Sequence, residues 1–249
     1  MPSTRVVILA AGKGTRMKSD IPKPLIPVAG EPMVLRLVKS VIASGIDAKP
    51  VVVVGAWSEA QFRDVLKDSV DYAVQTEQLG TGHALRSAKI AVGNADRVVV
   101  LYGDHPFIRS EVIQGLSEMQ ESNPGAIAML TATVPNFDDR FAVFARWGRV
   151  LRDADGKIVG IREAKDATPE ELAILEVNPA LFAFPLPWAW NQLELLKNTN
   201  ASGEYYLTDL VGAAMNDGMP IVSASADSMD IIGINSPEEL AQAEAMRKG

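Results

Sequence analysis

Val6-Val7-Ile8-Leu9 runs straight into Ala10-Ala11-Gly12-Lys13-Gly14-Thr15-Arg16-Met17, and Lys23-Pro24-Leu25 follows a few residues later. Four apolar residues that end in a glycine-bearing turn read as a buried strand opening into a loop. Small residues let a backbone approach a bulky polyanion, and Lys13, Arg16 and Lys23 supply positive charge beside it. Two familiar phosphate motifs fail here. A dinucleotide fingerprint needs a small residue where Met17 stands, and a P-loop needs a glycine five residues before Gly12. A third kind of polyphosphate turn is therefore expected, at the strand end where parallel sheets hold their ligands. The plain alternative is a strand-to-loop turn with scattered surface cations.

Outward from this turn, short β-rich runs alternate with helical patterns. Strands are expected at Val51–Val54, Val70–Val74 and Arg97–Leu101. Helices are expected at Met33–Ile42 and Thr81–Val92, with another from a Ser110 cap to Met119. Ser58 with Gln61 has the form of a capping box. Strands alternating with crossover helices imply a parallel sheet covered on both faces. Past Pro135 the pattern changes. Val150–Arg152 and Lys157–Ile161 flank Asp155-Gly156, a hairpin signal. Leu181–Phe184, Ile221–Ala224 and Ile231–Ile234 read as strands, and Trp188–Leu196 and Leu207–Met215 as helices. Ser236-Pro237-Glu238-Glu239 opens a last helix. The expected fold class is α/β: one Rossmann-like, mixed but mainly parallel sheet flanked by helices, with antiparallel strands added by the second half. It forms a single domain over 1–249, with a nucleotide-binding half at 1–134 and a sugar-binding half at 135–249.

The chain has 249 residues, 47% of them hydrophobic and 22% charged, enough for a substantial core. A net charge of -7 argues against general nucleic-acid binding, which needs a basic excess. It leaves room for a small anionic ligand held by a local cluster of cations. No cysteine is present, which excludes disulfides, thiolate metal sites and a cysteine nucleophile. The apolar N-terminal run breaks at Gly12-Lys13, too soon for a membrane span and without the form of a secretion signal. A cytoplasmic protein is expected.

Four further segments carry chemistry. Gln75–Ala84 holds an amide that can pair with a base edge, and Gly80 and Gly82 allow close backbone approach. Leu101-Tyr102-Gly103-Asp104 ends a buried strand on a carboxylate suited to magnesium, which prefers hard oxygens and keeps several waters. Glu163, Lys165-Asp166 and Asn178 are hydrogen-bonding groups suited to sugar hydroxyls, and so is the polar run Gly203–Asp209. Two scattered histidines, His83 and His105, make no triad and no metal site. Trp188 and Trp190 are expected to pack rather than stack on a ligand.

Together these residues resemble the sugar-1-phosphate nucleotidyltransferases. The likeness is greatest to the N-terminal uridylyltransferase domain of the bacterial bifunctional N-acetylglucosamine-1-phosphate uridylyltransferases. It runs over nearly the whole chain, through Leu9–Met17, Lys23-Pro24, Gln75–Ala84, Tyr102–Asp104, Trp147–Val150, Glu163–Thr168, Glu176–Asn178, Gly203–Asp209 and Gly233–Asn235. The resemblance implies that Leu9, Ala10, Ala11 and Gly12 line the uridine site, with Gln75, Gly80 and Thr81 around the base. Arg16 and Lys23 would hold the triphosphate, and Asp104 and Asn235 would ligate Mg2+. Tyr102, Gly103, Gly148, Glu163, Asn178, Tyr205 and Thr208 would face the sugar.

The family's left-handed β-helix acetyltransferase domain is absent from this sequence. The implied reaction joins UTP to N-acetylglucosamine-1-phosphate, with small molecules as the only partners and the oligomeric state open. N-acetylmuramic acid-1-phosphate, glucose-1-phosphate, CTP or dTTP as substrates, or a non-catalytic nucleotide-sugar sensor, remain rival readings. Two departures fall on the sugar side. Asn178-Pro179-Ala180 stands where the family has Asn-Thr-Gly, and the lead-in Arg140–Arg146 is unlike the family's.

Overall fold

Three valine-rich runs decide the architecture, because each is apolar on both faces. Val6 and Ile8, Val52 and Val54, and Val99 and Leu101 enter one core cluster. Val7 and Leu9, Val51 and Val53, and Val98 and Val100 enter the other. A strand whose alternate side chains bury into separate cores must be covered by helices above and below.

The computed structural model describes residues 3–17 and 19–246. The chain begins on β1 (Thr4–Leu9) and passes two 3-10 turns, Thr15–Met17 and Lys23–Leu25. A small ribbon of β2 (Pro27–Val28) and β3 (Glu31–Pro32) precedes α1 (Met33–Ala43). Then follow β4 (Val51–Gly55), α2 (Glu59–Leu66), β5 (Asp71–Gln75), α3 (Thr81–Ser87), α4 (Lys89–Val92), β6 (Arg97–Tyr102) and α5 (Ser110–Ser122). The second half contains β7 (Ile127–Thr133), β8 (Gly148–Arg152), β9 (Ile158–Arg162), α6 (Pro169–Leu172), β10 (Glu176–Asn178) and β11 (Phe182–Pro185). It closes with α7 (Leu186–Leu195), α8 (Asp209–Asn216), β12 (Ile221–Ser225) and α9 (Pro237–Met246).

The main sheet runs β5-β4-β1-β6-β11-β7-β10-β8-β9, with β12 on β7. β5, β4, β1 and β6 are parallel. β11 inserts antiparallel between β6 and β7, so both halves of the chain share one sheet. β12 departs from the expected antiparallel additions, since it lies parallel to β7. No helix among the described residues is long and apolar enough to cross a membrane.

One irregularity opens the cleft. β10 and β11 follow the same flank of β7, with Val177 opposite Ala132 and Phe182 opposite Met129. On their other flank Phe182 pairs with Val100 of β6, whereas Asn178 pairs with Gly148 of β8. Pro179, Ala180 and Leu181 bulge between them, and the sheet parts between Tyr102 and Gly148. The Asn178 side-chain oxygen accepts from the Ala180 amide at 2.9 Å and shapes this bulge. Ala180 has φ +61°, a left-handed conformation that strains an L side chain. Ala180→Gly should therefore stabilise the fold by about 0.5–1 kcal/mol, net of glycine's greater unfolded-state freedom. Urea denaturation reads this as a higher midpoint at an unchanged slope.

Several local expectations are corrected. Thr81–Val92 is two helices, broken at Ala88. Ser58 occupies a helix N-cap, but its hydroxyl donates to the Gly55 carbonyl and makes no capping box. Ser110 lies inside its helix, and Arg109 is the cap residue. The capping box that does form is Thr168 with Glu171. At the last helix Ser236 accepts from the Glu239 amide, while the Glu239 carboxylate turns to the Asn235 amide. Ile231–Ile234 is not a strand. Its apolar side chains are buried, and its backbone is tied by one bond from the Ile234 amide to the Asp104 carbonyl at 2.9 Å.

Candidate active site

The turn after β1 is held open on one side and pinned on the other. Ala10 donates to the Val53 carbonyl at 2.8 Å, and Gly103 donates to the Leu9 carbonyl at 2.9 Å. A side chain at Gly12 would meet nothing within 4 Å, so that backbone faces open space. Met17, the residue that spoils the dinucleotide fingerprint, is buried in a small cluster with Ile26, Val28, Met33 and Ile234.

Two cavities adjoin this turn. The first, of about 200 Å3, is lined by Leu9 to Gly12, Lys23, Gln75, Gly80 and Thr81, together with Gln78 and Glu204. The second, of about 270 Å3, lies in the parting of the sheet and is lined by Arg16, Gly148, Glu163, Asn178 and Asn235, together with His105 and Trp147. Tyr102 and Asp104, at the end of β6, line both. The two cavities therefore meet at one aspartate.

The loop over the first cavity is fastened by backbone. Tyr205 donates to the Leu79 carbonyl and accepts from the Gly82 amide, both at 2.8 Å. A Cβ on Gly80 would stand 2.7 Å from the Tyr205 carbonyl oxygen, and its φ is +111°, so this position requires glycine. Tyr205 thus acts through its backbone. Its ring faces Arg86 at 5.9 Å, and it lines neither cavity. Thr208 lines neither as well, but its hydroxyl donates to Glu163 Oε1 at 2.8 Å and fixes that carboxyl. Gly103 is a packing position, where a Cβ would stand 3.1 Å from Pro24.

Residues 6–188 match the MobA-like NTP transferase domain. The chain belongs to this family. The bifunctional protein GlmU of Chromobacterium violaceum is 41% identical over 246 residues, covering 98% of this chain and 51% of that relative. GlmU of Exiguobacterium sibiricum is 42% identical over 245 residues, covering 97% of this chain and 53% of its own. The chain thus spans about half the length of the curated relatives it matches. Among solved structures it shares its fold with a Bacillus anthracis protein assigned as a glucose-1-phosphate thymidylyltransferase. The TM-score is 0.75 at 21% identity, over 98% of this chain and 95% of that one.

In this NTP transferase the junction of the cavities is dominated by charge. The Lys23 ammonium forms an ion pair with Asp104 and donates to Asn235 Oδ1 at 2.8 Å. Arg16 donates to the same oxygen at 3.1 Å. Burial opposes the charge on Asp104, but Lys23, helped by His105, outweighs it and holds the carboxyl below the usual aspartate range. His105, set aside in the sequence as one of two scattered histidines, stands beside this aspartate. It is buried, its Nε2 stands 3.6 Å from Asp104, and its ring packs between those of Tyr102 and Trp147. Sequence spacing gave no signal for it, because the stack is assembled from two distant segments. Gln75 is buried, and its amide nitrogen is engaged with the Gly80 carbonyl at 3.1 Å and His83 Nδ1 at 3.0 Å.

Glu163 behaves oppositely to Asp104. Burial pushes its carboxyl up, the Thr208 bond opposes this, and Asp209 and Asp166 add to it. A carboxyl whose folded-state value is raised binds more protons in the native state. Stability is therefore lost as pH rises from the ordinary glutamate value of 4.5 to the raised one. Glu163→Gln keeps the Thr208 bond and removes this loss. The variant should melt above the wild type at pH 7, with the difference shrinking below pH 4.5, in calorimetry across that range.

Proposed function

We propose that this NTP transferase moves UMP from UTP to a sugar-1-phosphate, N-acetylglucosamine-1-phosphate, and releases pyrophosphate. The observation that carries the reading is the meeting of two cavities at Asp104, beside Lys23 and Arg16. A nucleotide and a sugar phosphate need separate pockets that bring two phosphates together at one charged point. Relatives named GlmU, 40–42% identical, support the same substrate pair.

Gln75 supports the choice of base. With its amide hydrogens directed to Gly80 and His83, it presents Oε1 as an acceptor. An acceptor suits the N3–H of uracil or thymine and not the bare N3 of cytosine. Glu163 and Asn178 offer acceptors and donors to sugar hydroxyls in the second cavity.

A phosphate oxygen of the sugar attacks the α-phosphorus of UTP. The new P–O bond forms as the bond to the departing pyrophosphate breaks. The attacking phosphate is already ionised at neutral pH, so no general base is required. Lys23 and Arg16 stabilise the charge gathering on pyrophosphate, and the rigid backbone of Leu9–Gly12 positions the triphosphate. Magnesium suits the donor set, because Asp104 and Asn235 direct two hard oxygens at one cation, the Lys23 ammonium. Among the described residues no three acidic or histidine side chains gather as a metal cage, which magnesium shared with phosphates and waters does not need. Held by Asp104 and Asn235, it would neutralise part of the charge on the two anionic reactants.

Pyrophosphate release from a panel of UTP, dTTP, CTP and ATP against several sugar-1-phosphates tests this reading. Turnover is expected with UTP and N-acetylglucosamine-1-phosphate. Faster turnover with CTP would contradict the role given to Gln75. Tight binding of a UDP-sugar with no turnover of any pair would favour a sensor.

A further inference from the structure

Behind the segments that carry Asp104 and Asn235 lies a third cavity, of about 570 Å3, which shares no lining residue with the other two. Its floor is apolar, from Phe107, Ile108 and Ile232. Its rim carries three guanidinium groups, Arg36, Arg109 and Arg140, against one carboxylate, Asp230. That carboxylate is already committed, since Arg109 donates to it from Nε at 3.1 Å and from Nη2 at 2.6 Å. Arg36 is the informative member. Its side chain is 22% exposed, and its ion pair with Glu31 is long, at 3.6 Å. Its guanidinium stands 6.0 Å from the Phe107 ring centre. Its Nε is shut off from water and has no hydrogen-bond partner. Buried donors without partners are uncommon, because each forfeits its solvation with no return. Three guanidinium groups around an apolar floor match an anion that carries a flat apolar body.

The walls of this cavity continue into the active site. Pro106–Arg109 begins two residues after Asp104, Ile232 lies three residues before Asn235, and the Ile234 amide ties the two segments together through the Asp104 carbonyl. We propose that the cavity is a second ligand site, for a small aromatic anion bearing a carboxylate, sulfonate or phosphate. Its occupant acts on the catalytic centre by bracing these two segments. The binding part is independent of the reaction proposed above, and the coupling part rests on it.

The probe is 8-anilino-1-naphthalenesulfonate, a flat aromatic sulfonate, titrated by fluorescence into the full chain without substrates. Saturable binding to one site is expected, undiminished by saturating UTP. Arg36→Leu, which removes the charge, and Ser40→Trp, which fills the cavity from α1, should each weaken it at least tenfold with unchanged melting. Binding that UTP displaces, that neither variant weakens, or that does not saturate would overturn the site. In the pyrophosphate assay, saturating probe should change kcat at least twofold with the KM for UTP unchanged. An unchanged kcat in an active enzyme would overturn the coupling. An enzyme inactive with every substrate pair, with probe binding as expected, would instead count against the proposed reaction.

Discussion

Asp104→Ala lowers the rate of pyrophosphate release by about 10²–10³-fold, the loss typical of removing one preorganised charge-stabilising group. Among the described residues Asp104 is the one acidic residue that lines both cavities. It holds the Lys23 ammonium in place and offers a carboxylate beside the Asn235 side-chain oxygen for a divalent cation. Alanine removes all three contributions at once. Asp104→Asn keeps the shape and removes the charge, and it should lose nearly as much. Steady-state assays with saturating magnesium and both substrates decide this. Wild-type turnover in either variant would remove Asp104 from the mechanism. A raised KM with unchanged kcat would make it a binding group alone.

Arg149→Leu lowers stability by about 3 kcal/mol, which for a chain of this size corresponds to a fall in Tm of roughly 6 °C. Arg149 is the largest fully buried side chain, 1% exposed. Its guanidinium has no acidic partner in the described bonds. It donates instead to the carbonyls of Ala145, Trp147 and Leu172, and lies 4.5 Å from the centre of the Phe137 ring. Leucine fills part of the volume and takes the donor away from three partly buried carbonyls. Two of them belong to the segment that carries Trp147 to the edge of the second cavity, so the sugar KM should rise together with the loss of stability. Thermal denaturation and a KM measurement read the two effects separately. A variant that melts within 2 °C of the wild type would contradict the account, because it would mean that a fully buried side chain and its bonds to three carbonyls contribute almost nothing.

The reach of the sequence differed between the two halves of the chain. β1, β4 and β6 were legible because their valine runs need cover on both faces, which leaves a parallel sheet as the economical solution. β7 was passed over, since Ala128, Thr131 and Ala132 dilute its apolar signal. Ile231–Ile234 had the composition of a strand but no strand to pair with. Its burial against neighbouring side chains, not hydrogen bonding, explains the apolar run. The opening of the sheet at Pro179–Leu181 depends on two different neighbours along one flank, and no local pattern encodes that.

The site was legible in part. Arg16 and Lys23, Asp104, and Asn235 come from three distant segments, yet each follows or precedes a recognisable element, and the structure brings them within hydrogen-bonding reach. Tyr205 and Thr208, expected at the sugar, line neither cavity; Tyr205 is backbone partner of the Gly80 loop, and the Thr208 hydroxyl donates to Glu163. Gln78 and Glu204 lie in segments that the sequence marked without singling them out, and His105 lines the second cavity because tertiary packing brings it there.

The central claim is that the two cavities are halves of one substrate site joined at Asp104. A crystal grown with magnesium and UDP-N-acetylglucosamine tests it most directly. The account predicts the uracil against Gln75 and Gly80, the diphosphate beside Asp104 and Lys23, and the sugar between Glu163 and Asn178. Density for the nucleotide away from the Leu9–Gly12 turn, or for the sugar outside the parting of the sheet, would contradict it.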